Sequence, residues 1–235
     1  MKPYLFFSIV IPAHNEESII EKTLRHLKDL NYPSNAYEVI IVENGSNDAT
    51  YAKAKTFESS NFRIYTTKDK GVSRARNFGI NQCSKTLDWG IIMDADTFLK
   101  KDFLSELNTY LETHRNVDYG TTMILLDDET LAGKFWSWYT NQTDKFFKVM
   151  HRIHIVRKEL FFKVRYDEEL ALTEDLWYSR DLSKLGKYFF MKTNNVIASA
   201  RRFRQKGYIR MFFINIYSGL MPKSIAKKKS WEVIR

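Results

Sequence analysis

Cysteine and proline are scarce in this chain of 235 residues. The single Cys83 excludes an internal disulfide framework and a zinc site built on cysteines, and it indicates a reducing compartment. Only four prolines accompany 44% hydrophobic residues, a composition that excludes a disordered chain and predicts a packed core. Because no run of about 18 apolar residues occurs, we predict no membrane-spanning helix. We therefore expect a cytoplasmic protein, at most peripheral at the cytoplasmic face of a membrane.

Positive charge is concentrated at one end of the chain. Residues Arg201 to Arg235 hold ten basic side chains and one acidic side chain, Glu232. The first 200 residues hold 27 of each sign and are neutral. We predict a catalytic or binding domain over residues 1–200 and a basic, aromatic extension over residues 201–235. Such an extension suits an anionic partner, whether a membrane surface, nucleic acid or a diphosphate.

Short apolar runs alternate with amphipathic stretches along the first half of the chain. Tyr4–Ile11, Glu38–Val42 and Arg63–Thr66 have the composition of strands, and each is followed by a turn cluster and a predicted helix. Asn15 and Thr173 are candidate helix N-caps. Alternating strands and helices predict βαβ units, and hence an α/β fold with a Rossmann-like, mostly parallel sheet flanked by helices.

The segment Ile91–Leu99 ends a buried strand with two carboxylates, Asp94 and Asp96. Ligands bind at the carboxyl ends of strands in open α/β sheets, and paired carboxylates suit Mg²⁺ or Mn²⁺ with substrate phosphates completing the coordination. For an isolated pair, the simpler alternative is favoured, in which Asp94 is a solvated strand end and Asp96 a helix cap. Evidence from the rest of the chain must decide.

Two aromatic segments allow more than one interpretation. Phe135–Val149 is predicted to be a helix, and we favour a buried core helix over one that exposes aromatics to an acceptor or to lipid. The apolar stretch Tyr208–Tyr217 is flanked by basic residues. It fits either an interfacial helix on an anionic membrane or a helix packed on the domain.

Polar clusters at the ends of successive predicted elements should converge on one edge of a parallel sheet. Five of them stand in an order and spacing that resembles the family 2 glycosyltransferases of the GT-A fold, over roughly residues 6 to 205. They are Ser8–Glu16 (SIVIPAHNE), Val42–Asp48 (VENGSND), Gly71–Asn77 (GVSRARN), Asp94–Asp96 (DAD) and Thr173–Asp175 (TED).

The resemblance implies transfer of a hexosyl or N-acetylhexosaminyl group from a UDP- or GDP-linked sugar, with inversion and with Mn²⁺ or Mg²⁺ as cofactor. Asp96 would hold the metal with help from Asp94, which would also lie beside the donor. Arg76 would lie near the diphosphate. Further donor contacts are assigned to Pro12, Ala13, Glu16 and Glu43.

Glu43 matches a carboxylate that accepts the ring N–H of uracil in the family, where Asp is commoner, and a carboxylate favours bases with a protonated ring nitrogen. Asp175 matches the catalytic base that deprotonates the acceptor hydroxyl, and Glu174 is assigned to acceptor binding. The segment Arg165–Glu169 departs from relatives that carry Gly before the aromatic residue. This departure indicates a different acceptor loop.

The implied acceptor is a glycan or a lipid-linked molecule, as in polysaccharide biosynthesis. A sugar-phosphate nucleotidyltransferase is the alternative enzyme, although Pro12–Glu16 is not the glycine-rich phosphate loop that such an enzyme would need. A nucleic-acid-binding protein is supported only by the basic extension. Because the first 200 residues are neutral, we expect no nucleic-acid partner.

Overall fold

A computed structural model describes residues 4–68, 70–170, 172–219 and 221–226. Its ten strands, in chain order, are β1 (Phe7–Ala13), β2 (Tyr37–Glu43), β3 (Phe62–Thr66), β4 (Trp89–Met93), β5 (Thr97–Leu99), β6 (Tyr119–Thr122), β7 (Leu125–Leu126), β8 (Ile153–Arg157), β9 (Tyr188–Met191) and β10 (Val196–Ala198). Its α-helices are α1 (Ile20–Lys28), α2 (Thr50–Lys55), α3 (Val72–Gln82), α4 (Phe103–Thr113), α5 (Leu131–Phe147), α6 (Lys158–Lys163), α7 (Glu174–Ser183), α8 (Arg201–Lys206), α9 (Tyr208–Gly219) and α10 (Lys223–Ala226), with a 3₁₀ turn at Ser34–Ala36.

Seven strands form the central sheet in the order β3-β2-β1-β4-β8-β6-β9. The first four are parallel neighbours, β8 runs antiparallel to both β4 and β6, and β9 is parallel to β6. A second sheet has the order β5-β10-β7. The predicted mostly parallel α/β sheet is therefore confirmed, with one antiparallel strand in its middle.

Helices cover both faces of the central sheet, which explains why β1 is apolar without alternation. Ile9 and Ile11 of β1 belong to the core cluster that includes Leu24 of α1 and Leu107 of α4. Val10 points to the opposite cluster, together with residues of α3, α6 and α7. The sheet thus separates two apolar layers, and its strand ends are left for the site.

Close packing also dictates a glycine in β4. A Cβ atom on Gly90 would lie 2.2 Å from the ring of Phe161, so that α6 can rest against the strand only because this side chain is absent. Gly71 opens α3 with φ of 130°, a backbone conformation that side chains disfavour. Gly90 thus allows α6 to approach β4, and Gly71 allows the chain to turn into α3.

One local prediction was wrong, and two were only partly right. Asn15 does not cap α1, because α1 begins at Ile20 and the Asn15 carboxamide instead accepts the Asn47 N–H at 2.9 Å. Thr173 occupies the N-cap position of α7 as predicted, but in a left-handed conformation and without a side-chain capping bond. The helix α5 is present as predicted, but it is not simply a core helix: Trp136 is buried, whereas Phe135, Trp138, Phe146 and Phe147 are exposed.

The described part of the basic extension folds back onto the domain. Phe203 of α8 and Met211 of α9 form a small buried cluster with Trp136 of α5. Lys227, Lys228 and Lys229, which carry part of the predicted basic charge, lie outside the described residues. The division at residue 200 stays a prediction. Of the helices that the structure describes, none combines the length and hydropathy needed to cross a membrane.

Candidate active site

A cavity of about 1160 Å³ lies at the carboxyl ends of the central strands. Parallel strands bring the loops after β1 and β4 and the start of α3 to the same edge, and α7 closes the opposite side. Seven of the nine predicted site residues line it: Pro12, Glu16, Arg76, Asp94, Asp96, Glu174 and Asp175. Residues predicted from segments far apart in sequence are therefore brought together.

Arg76 joins three of those segments. Its side chain is 3% exposed, and its Nη1 donates to Glu174 Oε1 at 3.1 Å and to Asp175 Oδ1 at 2.5 Å, while Nη2 donates to Asp94 Oδ1 at 3.1 Å. The guanidinium also lies 5.0 Å from the ring of Tyr166. A buried cation held by three carboxylates fixes their mutual positions, because each would be costly to bury alone.

The electrostatics of this cluster change the basicity of Asp175. Burial raises its pKa well above the ordinary value; Arg76 opposes that change, and the nearby charges of Glu174 and Asp94 add to it. For Arg76, burial disfavours the charged form, but Asp175 and the other anionic neighbours outweigh it and raise its pKa. A carboxylate with a raised pKa is a stronger base, as proton abstraction from a hydroxyl requires.

Asp96 is paired with an arginine that the sequence analysis did not single out. The Asp96 side chain is 4% exposed and accepts from Arg152 Nη1 at 3.3 Å. Arg152 lies directly before β8, and its carbonyl accepts the Asp94 N–H at 3.1 Å. Because β8 is antiparallel to β4, its start lies beside the end of β4. Only the strand order, which no local pattern reveals, could have identified this residue.

Two histidines at β8 also belong to the site, although the sequence suggested only that they line a strand. His151 lines the cavity and its Nδ1 contacts the carboxylate of Asp144, which is 2% exposed. The side chain of His151 is half exposed; partial desolvation in the cavity opposes its protonation, but the charge and hydrogen bond of Asp144 prevail and raise its pKa to about 9. The imidazole is therefore cationic at neutral pH.

His154 is buried behind the candidate base. Its Nε2 lies 3.5 Å from Asp175 Oδ1, and its Nδ1 is hydrogen-bonded to the hydroxyl of Tyr166. Burial and the charge of Arg76 lower its pKa well below the ordinary value, so that this imidazole is neutral. A second layer of ring systems, with Tyr166 stacked on Tyr178 at 3.9 Å, thus supports the carboxylates.

The donor residues predicted at the ends of β1 and β2 differ in whether they line the cavity. Glu16 lines the cavity and accepts from Arg201 Nη2 at 2.6 Å, which ties the start of α8 to this edge. Ala13 and Glu43 are buried and are not among the cavity residues; the Glu43 carboxylate accepts the Ser46 N–H within its own turn. The base-reading role of Glu43 stays a prediction. Asn44, which follows it, does line the cavity.

The donor groups present fit a hard divalent cation. In the described part of the chain, no group of three or more His, Cys, Asp or Glu side chains is arranged to hold a metal. The protein thus offers the carboxylates of Asp94 and Asp96, and Mg²⁺ or Mn²⁺ is commonly held by one or two carboxylates with phosphate oxygens and water. This set would bind a metal weakly by itself and more tightly together with a diphosphate.

A Rossmann-like, mostly parallel sheet with an acidic pair after a central strand, at the edge where the cavity lies, places the chain in the GT-A class of fold. The sequence model for "Glycosyl transferase family 2" matches residues 8–170, more than half of the chain. The chain belongs to this family.

Curated relatives agree with that assignment. Glycosyltransferase AglE of Haloferax volcanii is 39% identical over 82 residues, covering 34% of this chain and 27% of that protein. A dolichyl N-acetyl-alpha-D-glucosaminyl phosphate 3-beta-D-2,3-diacetamido-2,3-dideoxy-beta-D-glucuronosyltransferase of Methanococcus voltae is 34% identical over 110 residues, covering 45% of this chain and 34% of that protein. The match thus spans about a third or less of these relatives' length.

Solved structures share the fold at low sequence identity. Staphylococcus aureus TarS 1-349 in complex with UDP-GlcNAc superposes with a TM-score of 0.70 at 15% identity, covering 94% of this chain and 69% of that chain. The mannosyltransferase PcManGT of Pyrobaculum calidifontis, in complex with GDP-Man and Mn²⁺, gives a TM-score of 0.67 at 15% identity, covering 96% and 68%. These matches confirm the GT-A fold expected from the sequence.

Proposed function

We propose that this protein transfers a sugar from a nucleoside diphosphate sugar to an acceptor hydroxyl, with inversion and with Mg²⁺ or Mn²⁺ as cofactor. The observation that carries the proposal is the Arg76 cluster, in which Asp94, Glu174 and Asp175 meet in one cavity. An acidic pair for the donor side and a buried carboxylate for the acceptor side are the two parts that such a transfer needs.

Asp175 is the proposed general base. Its carboxylate would accept the proton of the acceptor hydroxyl as the oxygen attacks the anomeric carbon from the face opposite the diphosphate, and attack from that face inverts the configuration. The raised pKa of Asp175 favours this proton transfer. Glu174, held by the same arginine, lies where it can orient the acceptor.

Charge balance argues for a divalent cation on the donor side. Arg76 offers one positive charge to three carboxylates, and a diphosphate would add further negative charge to the cavity. A cation held by Asp96 and Asp94, when bound, would neutralise the diphosphate as it leaves. Arg152 and the cationic His151 line the same cavity, but they are paired with Asp96 and Asp144 and leave the charge of a diphosphate uncompensated.

The donor and acceptor are proposed by class only. UDP-GlcNAc and GDP-Man are bound by structural neighbours of the same fold, which supports a UDP- or GDP-linked donor here. A glycan or a lipid-linked molecule is the proposed acceptor. The family membership favours sugar transfer over nucleotidyl transfer, and the described basic residues Arg201 and Arg204 are paired with Glu16 and Asp127 rather than presented to nucleic acid.

The test is nucleotide binding by titration calorimetry with UDP and GDP, each in Mn²⁺, in Mg²⁺ and in a chelator. We expect one nucleotide to bind, and to do so only with metal, because Asp94 and Asp96 would otherwise repel the diphosphate. Asp96→Ala should abolish metal-dependent binding. Asp102→Ala, a carboxylate at the start of α4 bonded to Asn31, is the matched control. Unchanged affinity in Asp96→Ala with Mn²⁺ present would refute the metal assignment.

A further inference from the structure

Exposed apolar side chains are concentrated on two helices. Of the thirteen exposed large hydrophobic residues in the described part of the chain, nine belong to α5 and α9. On α5, Phe135 and Trp138 are 55% and 57% exposed; on α9, Phe213 is 64% exposed. A concentration of this kind marks an interaction site, since scattered apolar residues would be spread over the surface.

Ring contacts connect the two helices into one surface. Trp138 lies 5.8 Å from Phe135, Phe135 lies 6.4 Å from Tyr139, Tyr139 lies 5.4 Å from Phe212 of α9, and Phe212 lies 5.8 Å from Phe213. We call the exposed part of this row, with Ile216 and Tyr217, the α5–α9 surface. Because Phe212 and Trp136 anchor α9 on α5, the surface is held in place by packing.

The charges around this surface are mostly positive. Lys134, Lys145, Lys148 and Arg210 are exposed on or beside the two helices, and Lys134 is paired with the exposed Glu129 just before α5. Asp144 is the one acidic residue in the sequences of α5 and α9, and it is buried against His151. An aromatic surface with a basic border complements an anionic lipid bilayer, in which rings lie at the headgroup level and lysines meet phosphates.

The α5–α9 surface also borders the candidate active site. Tyr139 of α5 and Ile216 of α9 line the same cavity as Asp94 and Asp175. A bilayer against this surface would lie beside the cavity, and a molecule anchored in the bilayer could extend its head group between the two helices. The cavity is apolar on this side, where Trp136, Phe203 and Met211 also line it.

We propose that the α5–α9 surface docks on an anionic phospholipid membrane and that the acceptor is lipid-linked. The docking stands on the surface itself, whereas the acceptor class rests on the proposed transferase function. The proposal extends the membrane interpretation of the C-terminal extension, because α5, in the middle of the chain, supplies half of the surface.

Vesicle sedimentation of the whole chain tests the docking. The vesicles are phosphatidylcholine alone, and equal parts of phosphatidylcholine and phosphatidylglycerol. The wild-type protein should sediment with the anionic vesicles and far less with the neutral ones. The double variant Trp138→Ser with Phe213→Ser should lose about tenfold or more of the vesicle affinity. The control pair Tyr51→Ser with Leu185→Ser removes apolar side chains that are exposed elsewhere, to 38% and 48%, and should bind as the wild type does.

Three results would overturn the proposal. One is equal sedimentation of the two double variants with anionic vesicles. Another is failure of the wild-type protein to bind them at low salt. The third is size-exclusion data showing a dimer that becomes a monomer in Trp138→Ser with Phe213→Ser without vesicle binding, since a second copy of the chain would then cover the surface.

Nucleotide binding by the same variants separates this proposal from the proposed function. Both double variants should bind the nucleotide as the wild-type protein does, since neither changes a residue proposed to bind it. If neither the wild-type protein nor the variants bind UDP or GDP in the presence of metal, the transferase proposal and the lipid-linked acceptor fail. The membrane docking would then be decided by the vesicle data alone.

Discussion

At the scale of single residues, the site depends on a buried arginine that binds carboxylates. Arg76 contacts Asp94, Glu174 and Asp175, which lie 18, 98 and 99 positions away along the chain. Burial of a charge without partners is strongly unfavourable, so loss of any partner would disturb the others. Arg76 thus couples the proposed donor side of the cavity to the proposed acceptor side.

Asp175→Asn tests the proposed base. The change keeps the size of the side chain and an oxygen for Arg76 but removes the basicity, so turnover should fall by roughly 10²–10⁴ while donor affinity changes little. Steady-state kinetics with the donor found by calorimetry measures both. Asp181→Asn, on the same helix and paired with Lys184 at the surface, is the control and should retain activity. Near-normal turnover in Asp175→Asn would leave this residue a structural role only.

At the scale of elements, α5 has two kinds of aromatic face. Trp136 is 3% exposed and contacts Phe203, Tyr208 and Phe212, with ring centroids 4.9 to 6.3 Å apart. Trp138, two positions later, is 57% exposed. On one helix, therefore, Trp136 packs against the C-terminal helices, whereas Trp138 belongs to an exposed surface.

Trp136→Ala should destabilise the packing of α8 and α9 on α5. Removal of a buried Trp typically costs about 3–5 kcal/mol. The loss would lower either the free energy of unfolding of the whole protein or the free energy that holds the C-terminal helices on α5. Urea unfolding measures the first, and faster hydrogen exchange over residues 201–219 reports the second. Trp138→Ala is the matched control and should cost about 0.5 kcal/mol or less. Similar losses in both variants would contradict the packing described here.

At the scale of the whole molecule, opposite charges join segments that are distant in sequence. Glu16 with Arg201 connects the loop after β1 to α8, and Asp127 with Arg204 connects the segment between β7 and α5 to α8. The net charge of +9 is therefore not all presented to solvent, because part of the basic extension is bound to the domain.

The Asp144–His151 pair makes stability depend on pH. The folded-state pKa of His151, about 9, lies above the value of 6.5 for an unperturbed histidine. Its contribution is therefore fully present below about pH 6.5 and is lost as the pH rises through about 9. The difference in free energy of unfolding between the wild-type protein and His151→Gln should shrink over this interval.

Denaturant titrations at about pH 6, 7.5 and 9.5 measure this difference below, between and above the two pKa values. His114→Gln, an exposed histidine that contacts Tyr110, serves as the control. A difference for His151→Gln that grows with pH would mean that the imidazole is neutral in the folded protein.

The sequence by itself determined the strands β1 to β4, the polar clusters that follow them and the family resemblance. These features depend on local causes: uninterrupted apolar runs, turn residues, and carboxylates at the end of a strand. Because parallel strands share one edge, the sequence also indicated that Asp94, Asp96 and Arg76 would meet. All three line one cavity.

The tertiary structure alone decided which other residues join them. Arg152 and His151 reach the site because β8 is inserted antiparallel beside β4, and Asp144, near the end of α5, lines the same cavity bound to His151. Helical periodicity places Trp136 and Trp138 on different faces of α5, but it could not tell which face is buried, because burial depends on which neighbour packs against each face. Pairing order and packing are properties of residues far apart in the chain, and no local pattern encodes them.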